Sequence, residues 1–184
     1  MFNRTFSAAL HGINGFLVQV EADVSDGLPE FSMVGFLGSE VKEAKERVRI
    51  SLKNSGFKLP AKRITINLSP ADLRKEGTAF DLPIAVAILA TLGFIPEENI
   101  KDTLIIGELS LNGEINKVRG VLPIVNMALE LGFSKCIVPM DNSKEGAVIS
   151  GIDVIGVKNL KEAVQYLNNQ NLIEPEYVNV DEMF

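Results

Sequence analysis

The stretch KEGTAFDLPIAVAILA, Lys75 to Ala90, runs from a charged, glycine-containing bend straight into an apolar segment that begins at Asp81. Leu82, Ile84, Ala85, Val86, Ile88, Leu89 and Leu92 fall all round a helical wheel, so the segment reads as a central, buried helix. Asp81 is placed to cap it, with Pro83 in the first turn, where a missing N–H does no harm. Strand-like sequence lies before it. In GFLVQVEADV, Phe16, Val18, Val20, Ala22 and Val24 alternate with Leu17, Gln19, Glu21 and Asp23, the period-two pattern of a half-buried strand. Asp26-Gly27 and Pro29 make a turn, after which FSMVGF resumes the sheet. RITINL puts Ile64, Ile66 and Leu68 on one side of a short strand that Ser69-Pro70 breaks.

Between these strands Ser39 is placed to cap a helix whose inner face is Val41, Ala44, Val48 and Leu52. Its outer face holds Lys42, Glu43, Lys45, Glu46, Arg47, Arg49 and Lys53, and Gly56 ends it. TLIIGELSLNGEI reads as a hairpin in which Asn112-Gly113 supplies the positive φ values of a type I′ turn. VLPIVNMALELG is an amphipathic helix closed by Gly132, KCIVP a buried strand, SKEGAV a short helix, IDVIGV a strand and NLKEAVQYLNN the last helix. From Gln170 the chain is polar, acidic and without periodicity. The expected organisation is one domain over 1–169 and an acidic tail or linker over 170–184. Hairpins and strand–helix–strand units together give an α/β (α+β) fold with a mixed β-sheet packed with helices.

The 184 residues are enough to bury a core, and 46% apolar with 23% charged residues is a globular composition. No apolar run reaches the roughly 20 residues of a membrane span, and MFNRTFSAALHG has no long apolar signal region. A cytoplasmic location, with no membrane partner, is the expectation. The single cysteine, Cys136, has no internal partner for a disulfide and suits a reducing compartment. The net charge of -6 is unevenly spread. Lys42 to Lys75 holds ten Lys/Arg against three Asp/Glu, whereas Glu76 to Phe184 holds seven against sixteen. A basic block on an acidic chain fits a nucleic-acid footprint, and equally a solvated helix face. His11 and Cys136 stand far apart and offer no closely spaced ligand pair, so no metal site is expected. Glu108 and Glu114, which flank the hairpin turn, read as solvated strand residues.

Several words of the sequence recur together in one family. GEINKVRGVLPI and KEGTAFDLP resemble the proteolytic domain of Lon. GLPEFSMVG, VKEAKERVR, LKNSGFKLPAKRITINLSPADLRKEG, FDLPIAVAILA and GELSLNGEI resemble more closely the N-terminal, Lon-like domain of the magnesium-chelatase-like AAA+ ATPases of the ComM and YifB type. The resemblance runs from about Thr5 to Leu167 and implies a Lon-protease-like fold of the ribosomal-protein-S-five-domain-two-like type. Thr78, where relatives often carry proline, and Val34-Gly35-Phe36-Leu37-Gly38 depart from the family pattern without removing a catalytic group.

Lon-like proteases use a serine in a tight turn, activated by a lysine further on, because a hydroxyl attacks poorly until a base takes its proton. Laid on this chain, the serine position is Ala79 and the lysine position Leu122. A methyl group cannot attack a carbonyl, and Thr78, one residue away, is displaced by several times the roughly 1 Å that already costs about a hundredfold. No proteolysis is expected, and no catalytic residue is assigned. No G-x-x-x-x-G-K-[ST] loop occurs either, so ATP and Mg²⁺ are expected only in a following AAA+ module and no cofactor is assigned to this chain. The resemblance implies a domain that helps a hexameric DNA-processing motor, of the helicase or branch-migration type, engage DNA in recombination or natural transformation. The candidate phosphate contacts are Lys62, Arg63, Arg74, Lys75, Lys117 and Arg119. Two alternatives stay open: a module for assembly of the homo-oligomeric ring, and a pseudo-protease that keeps a peptide-binding cleft.

Overall fold

The computed structural model describes residues 1–182. Its main sheet holds β1 (Phe2–His11), β2 (Asn14–Ser25), β3 (Glu30–Val34), β4 (Arg63–Ser69), β5 (Thr103–Ile105), β8 (Lys135–Pro139) and β9 (Asp153–Val157). A separate two-stranded ribbon is made by β6 (Glu108–Leu109) and β7 (Ile115–Asn116). The helices are α1 (Ser39–Asn54), α2 (Asp81–Thr91), α3 (Val121–Glu130), α4 (Ser143–Gly146) and α5 (Leu160–Leu167). Across the main sheet the order is β3-β4-β2-β1-β5-β8-β9. The pairs β1–β2 and β2–β4 are antiparallel, and all other neighbours are parallel. This is the mixed α/β arrangement expected.

Side chains alternate across the sheet, and the two cores follow that alternation. Ile105, Ile137 and Ile155 face α1, α2 and α5, while Leu104, Cys136 and Val154 face α3 and the α4 region. The β5-β8-β9 end is therefore covered on both faces. Towards the β3 end, Val20, Ala22, Ile64 and Ile66 are buried beneath α1 and α2, but Glu21, Asp23, Thr65 and Asn67 keep a half-exposed polar face. Asn67 Nδ2 donates to Glu21 Oε1 there at 2.8 Å.

Every residue of α2 is buried, as the all-round apolar sequence requires, and Thr5 Oγ1 of β1 donates to Pro83 O at 2.8 Å. Asp81 does not cap this helix. The position before it is Phe80, and no side chain caps the end. Nor does Ser39 cap α1, which begins at Ser39 after Gly38 with no side-chain cap bond. Gly56 does follow the C-terminus with φ +89, and its N–H donates to Lys53 O. The expected type I′ hairpin is also corrected. Gly113 alone has positive φ at the turn, and its N–H closes back on Ser110 O, which makes a type I turn followed by a glycine in the left-handed region. Thr103–Ile105 belongs to the main sheet, and only Glu108–Leu109 enters the ribbon.

After α5, Ile173 packs on the core and the Glu176 N–H donates to Val154 O of β9 at 2.8 Å. Tyr177 and Leu172 point into solvent. The expected tail over 170–184 includes Met183 and Phe184, which lie outside the described residues. Among the described residues no helix is long and apolar enough to cross a membrane.

Candidate functional site

The bend between β4 and α2 is held from three sides. Gly77 N–H donates to Glu40 Oε2 of α1 at 3.0 Å, Gly107 N–H donates to Ala79 O at 2.9 Å, and Leu82 N–H donates to Gly107 O at 3.0 Å. Gly77 takes φ +87, a conformation the turn needs and most side chains resist. Facing the bend is the connector from the ribbon to α3. Between them lies a cleft of about 550 Å³, lined on one side by Glu76, Gly77, Thr78 and Ala79 and on the other by Lys117, Val118 and Arg119. Of the two positions that the resemblance to Lon marks, Ala79 lines this cleft and Leu122 does not. Ala79 contributes a methyl group to the wall. Leu122 is the second residue of α3 and is 39% exposed.

The charged groups of the cleft divide by whether the protein engages them. Glu40 holds the Gly77 N–H, Glu76 pairs with Arg74 at 2.9 Å, and Glu108 accepts from Asn116 Nδ2 at 2.9 Å. Lys117 and Arg119 are exposed and, among the described residues, have no carboxylate partner within 4 Å. The cleft thus carries three carboxylates, each engaged by the protein, and its positive charge without a carboxylate partner among the described residues sits on the connector.

The other four cations of the expected set lie elsewhere. Arg74 stacks over the Phe36 ring at 5.9 Å while it pairs with Glu76. Lys62 and Arg63 open β4 and pair with Asp26 and Glu30 at 3.5 and 3.2 Å, well away from the bend. Lys75 leaves the set altogether. It is wholly buried, and its Nζ donates to Gly35 O at 2.6 Å and to Pro70 O, so no phosphate reaches it. Burial lowers its pKa, and Asp72 opposes that shift. Its flanking backbone bridges to Leu37, through Lys75 N–H to Phe36 O and Gly38 N–H to Lys75 O. Lys75 ties together two loops.

Sequence reading missed the ion pair under the bend. Arg47, read as part of the outer face of α1, turns inward and grips Asp81 with Nε to Oδ2 at 2.7 Å and Nη2 to Oδ1 at 3.1 Å. Leu109 N–H donates to the same Oδ2 at 3.0 Å, which ties α1, α2 and the ribbon to one carboxylate. Burial raises the Asp81 pKa to about 6, against the pull of Arg47 and the Leu109 N–H, with Glu108 adding to the rise. A signal existed in the sequence: an acid at the head of an otherwise apolar helix needs a partner once the helix is central. No group of three His, Cys, Asp or Glu side chains among the described residues is arranged to hold a metal.

The model of Mg-chelatase subunit ChlI matches residues 20–142, from β2 past β8, which includes the bend, the ribbon and the connector. The chain belongs to the ChlI family. Within that family's wider relations it is 41% identical to competence protein ComM of Haemophilus influenzae over 165 residues, 90% of this chain and 32% of that protein. It is 39% identical to the uncharacterized protein YifB of Escherichia coli over 163 residues, 89% of this chain and 32% of that one. DNA repair protein RadA of Halalkalibacterium halodurans is 29% identical over 170 residues, 88% of this chain and 35% of RadA. The chain spans about a third of the length of these relatives. It is thereby related to the Mg-chelatase-like, ComM and YifB group of AAA+ proteins, and the ChlI match covers both walls of the cleft.

Proposed function

We propose that this chain is a non-catalytic N-terminal domain of a ComM-type AAA+ motor, a hexameric ring that processes DNA, and that it helps the ring engage its DNA. Lys117 and Arg119 carry this reading: they are cleft cations with no carboxylate within 4 Å among the described residues. A phosphodiester backbone meets them on the connector side, because Glu40, Glu76 and Glu108 of the same cleft repel it. Such contacts position DNA without reading its sequence. The relatives named for competence and for DNA repair support the same direction. With Ala79 in the nucleophile position the cleft performs no acyl transfer, and nucleotide hydrolysis belongs to a following AAA+ module.

The test is fluorescence anisotropy of labelled single-stranded and duplex DNA, at low and at physiological salt. Binding should weaken steeply with salt, and Lys117→Ala with Arg119→Ala should flatten the log–log salt slope by about 2. Replacing Lys62 and Arg63, already paired, should change it less. No binding at low salt would remove DNA contact from this domain. Assembly of the ring then becomes the leading reading, favoured by a second feature at the other end of the sheet.

A further inference from the structure

At the β3 edge of the sheet a second groove, of about 660 Å³, opens between β3, the end of α1 and the loop that leads to β4. Its floor is apolar, with Phe31, Phe57, Leu59 and Ile64, and its rim carries Arg49, Lys53, Lys58 and Lys62. Glu30 is the one acid lining it. Arg49 and Lys62 pair with Glu46 and Asp26, but Lys53 and Lys58 have no carboxylate within 4 Å among the described residues. Beside the groove β3 pairs only with β4, so its outer edge makes no backbone hydrogen bond among the described residues. Leu28, Val34 and Phe36 along that edge are 85%, 51% and 51% exposed. An open strand edge with apolar side chains and free cations suits an extended segment that is both apolar and acidic.

The chain contains a segment of that composition, irregular up to Asn179 and then wound into a short 3-10 turn over Val180–Glu182 that opens on docking. From Gln170 to Glu182 it carries Glu174, Glu176, Asp181 and Glu182, and no Lys or Arg. Tyr177 within it is 80% exposed. This segment starts at the β9 edge, where Glu176 is pinned to Val154, and β9 and β3 are the two opposite edges of the sheet. Six strand spacings separate them, roughly 30 Å. Tyr177 to Glu182, fully extended, reach about 20 Å, so they do not cross to the groove of their own chain.

We propose that copies of this chain associate head to tail, with the acidic segment Tyr177–Glu182 of one copy seated on the β3 edge and cationic groove of the next. Complementary surfaces at opposite edges give a heterologous contact, the kind that closes into a ring or runs on as a filament. The contact goes beyond the DNA reading and uses none of the cleft cations.

Sedimentation velocity of the full chain over a range of concentrations, at about 0.05 M and about 0.5 M salt, tests it. The expected result is association that grows with concentration at low salt and weakens at high salt. Lys53→Glu with Lys58→Glu, and separately Asp181→Lys with Glu182→Lys, should each weaken it by about tenfold or more. All four positions are exposed, and circular dichroism checks that each variant is folded. An equimolar mixture of the two variants should associate again, because each reversed groove then meets a reversed segment. A wild-type monomer at every concentration, association indifferent to both reversals, or a mixture that stays dissociated would overturn the proposal. So would loss of DNA binding in the groove variant with self-association intact, which would make the groove a nucleic-acid site. Failure of the cleft variants to affect DNA leaves this result untouched, so the two readings fail separately.

Discussion

Asp81 combines a buried carboxylate with three donors, two from Arg47 and one from the Leu109 N–H. Removing it leaves the buried Leu109 N–H unpaired and the largely buried Arg47 guanidinium with only Glu43 at 3.5 Å and the Glu40 carbonyl at 2.9 Å, so Asp81→Ala should cost about 3 kcal/mol in urea unfolding at pH 7. Asp81→Asn keeps an acceptor for Leu109 and should cost less. The pH dependence has a definite sign. The folded pKa of about 6 lies above the roughly 3.9 of an unfolded aspartate, so folding takes up a proton between those values. The stabilisation from protonation is complete below about pH 4 and is lost as pH rises through about 6. Wild type should therefore gain about 2 kcal/mol on Asp81→Asn between pH 7 and pH 4, and a difference independent of pH would contradict the burial. None of this was legible locally. An aspartate at the head of a helix looks like a cap, and its partner lies 34 positions earlier on a helix face full of charges. Lys75 misled in the same way, since charge in a bend suggests solvent. Its ammonium instead satisfies two backbone carbonyls, and Lys75→Ala should destabilise the fold by about 2–4 kcal/mol.

Elements were legible where one face or all faces decided them. The helix α2 was plain because its apolar residues leave no polar side, and β2 and β4 because one face of each stays wet. The strand β1 was not, since Ser7, Ala8 and Ala9 are buried in succession and both faces are covered there, which erases the alternation. The ribbon was foreseen but its turn was not. Gly113 O accepts from Leu160 N–H at 2.8 Å and Ile115 N–H donates to Lys158 O at 2.9 Å, so a distant segment holds the turn in a geometry other than the type I′ that Asn112-Gly113 suggests. The loop after β3 shows the same dependence. Gly35 has φ +123, and a Cβ there would overlap the carbonyl of Leu68 on β4. Gly35→Ala should cost about 3 kcal/mol or more, read from thermal or urea unfolding, and should loosen the Phe36–Lys75 bridge beside the bend.

At the scale of the molecule, the fold carries two concave surfaces of different character, α1 giving Glu40 to the cleft and Arg49 and Lys53 to the groove. The cleft between bend and connector was legible in part, because the motif that placed Ala79 marked one of its walls, whereas Leu122 falls outside its lining. The groove at the β3 edge was not, because its cations come from α1 and a loop whose neighbourhood only the fold creates. Where the compact domain stops follows from the same contacts. Ile173 and Glu176 are held by the core and by β9, whereas Tyr177 is largely exposed and outside any regular element. Proteases cut where the backbone can leave its contacts at little cost. Limited chymotrypsin digestion at high salt, where copies are apart, followed by intact-mass analysis, should therefore cut first after Tyr177, while the exposed Phe36 and Phe94 resist, because Phe36 O accepts from the Lys75 N–H and the Phe94 N–H donates to Leu89 O. The surviving fragment should melt within about 2 °C of the whole chain, since residues beyond Glu176 bury little apolar surface. A first cut between β1 and α5 would place the weak point inside the domain, and a large drop in melting temperature would mean that the acidic segment belongs to its core.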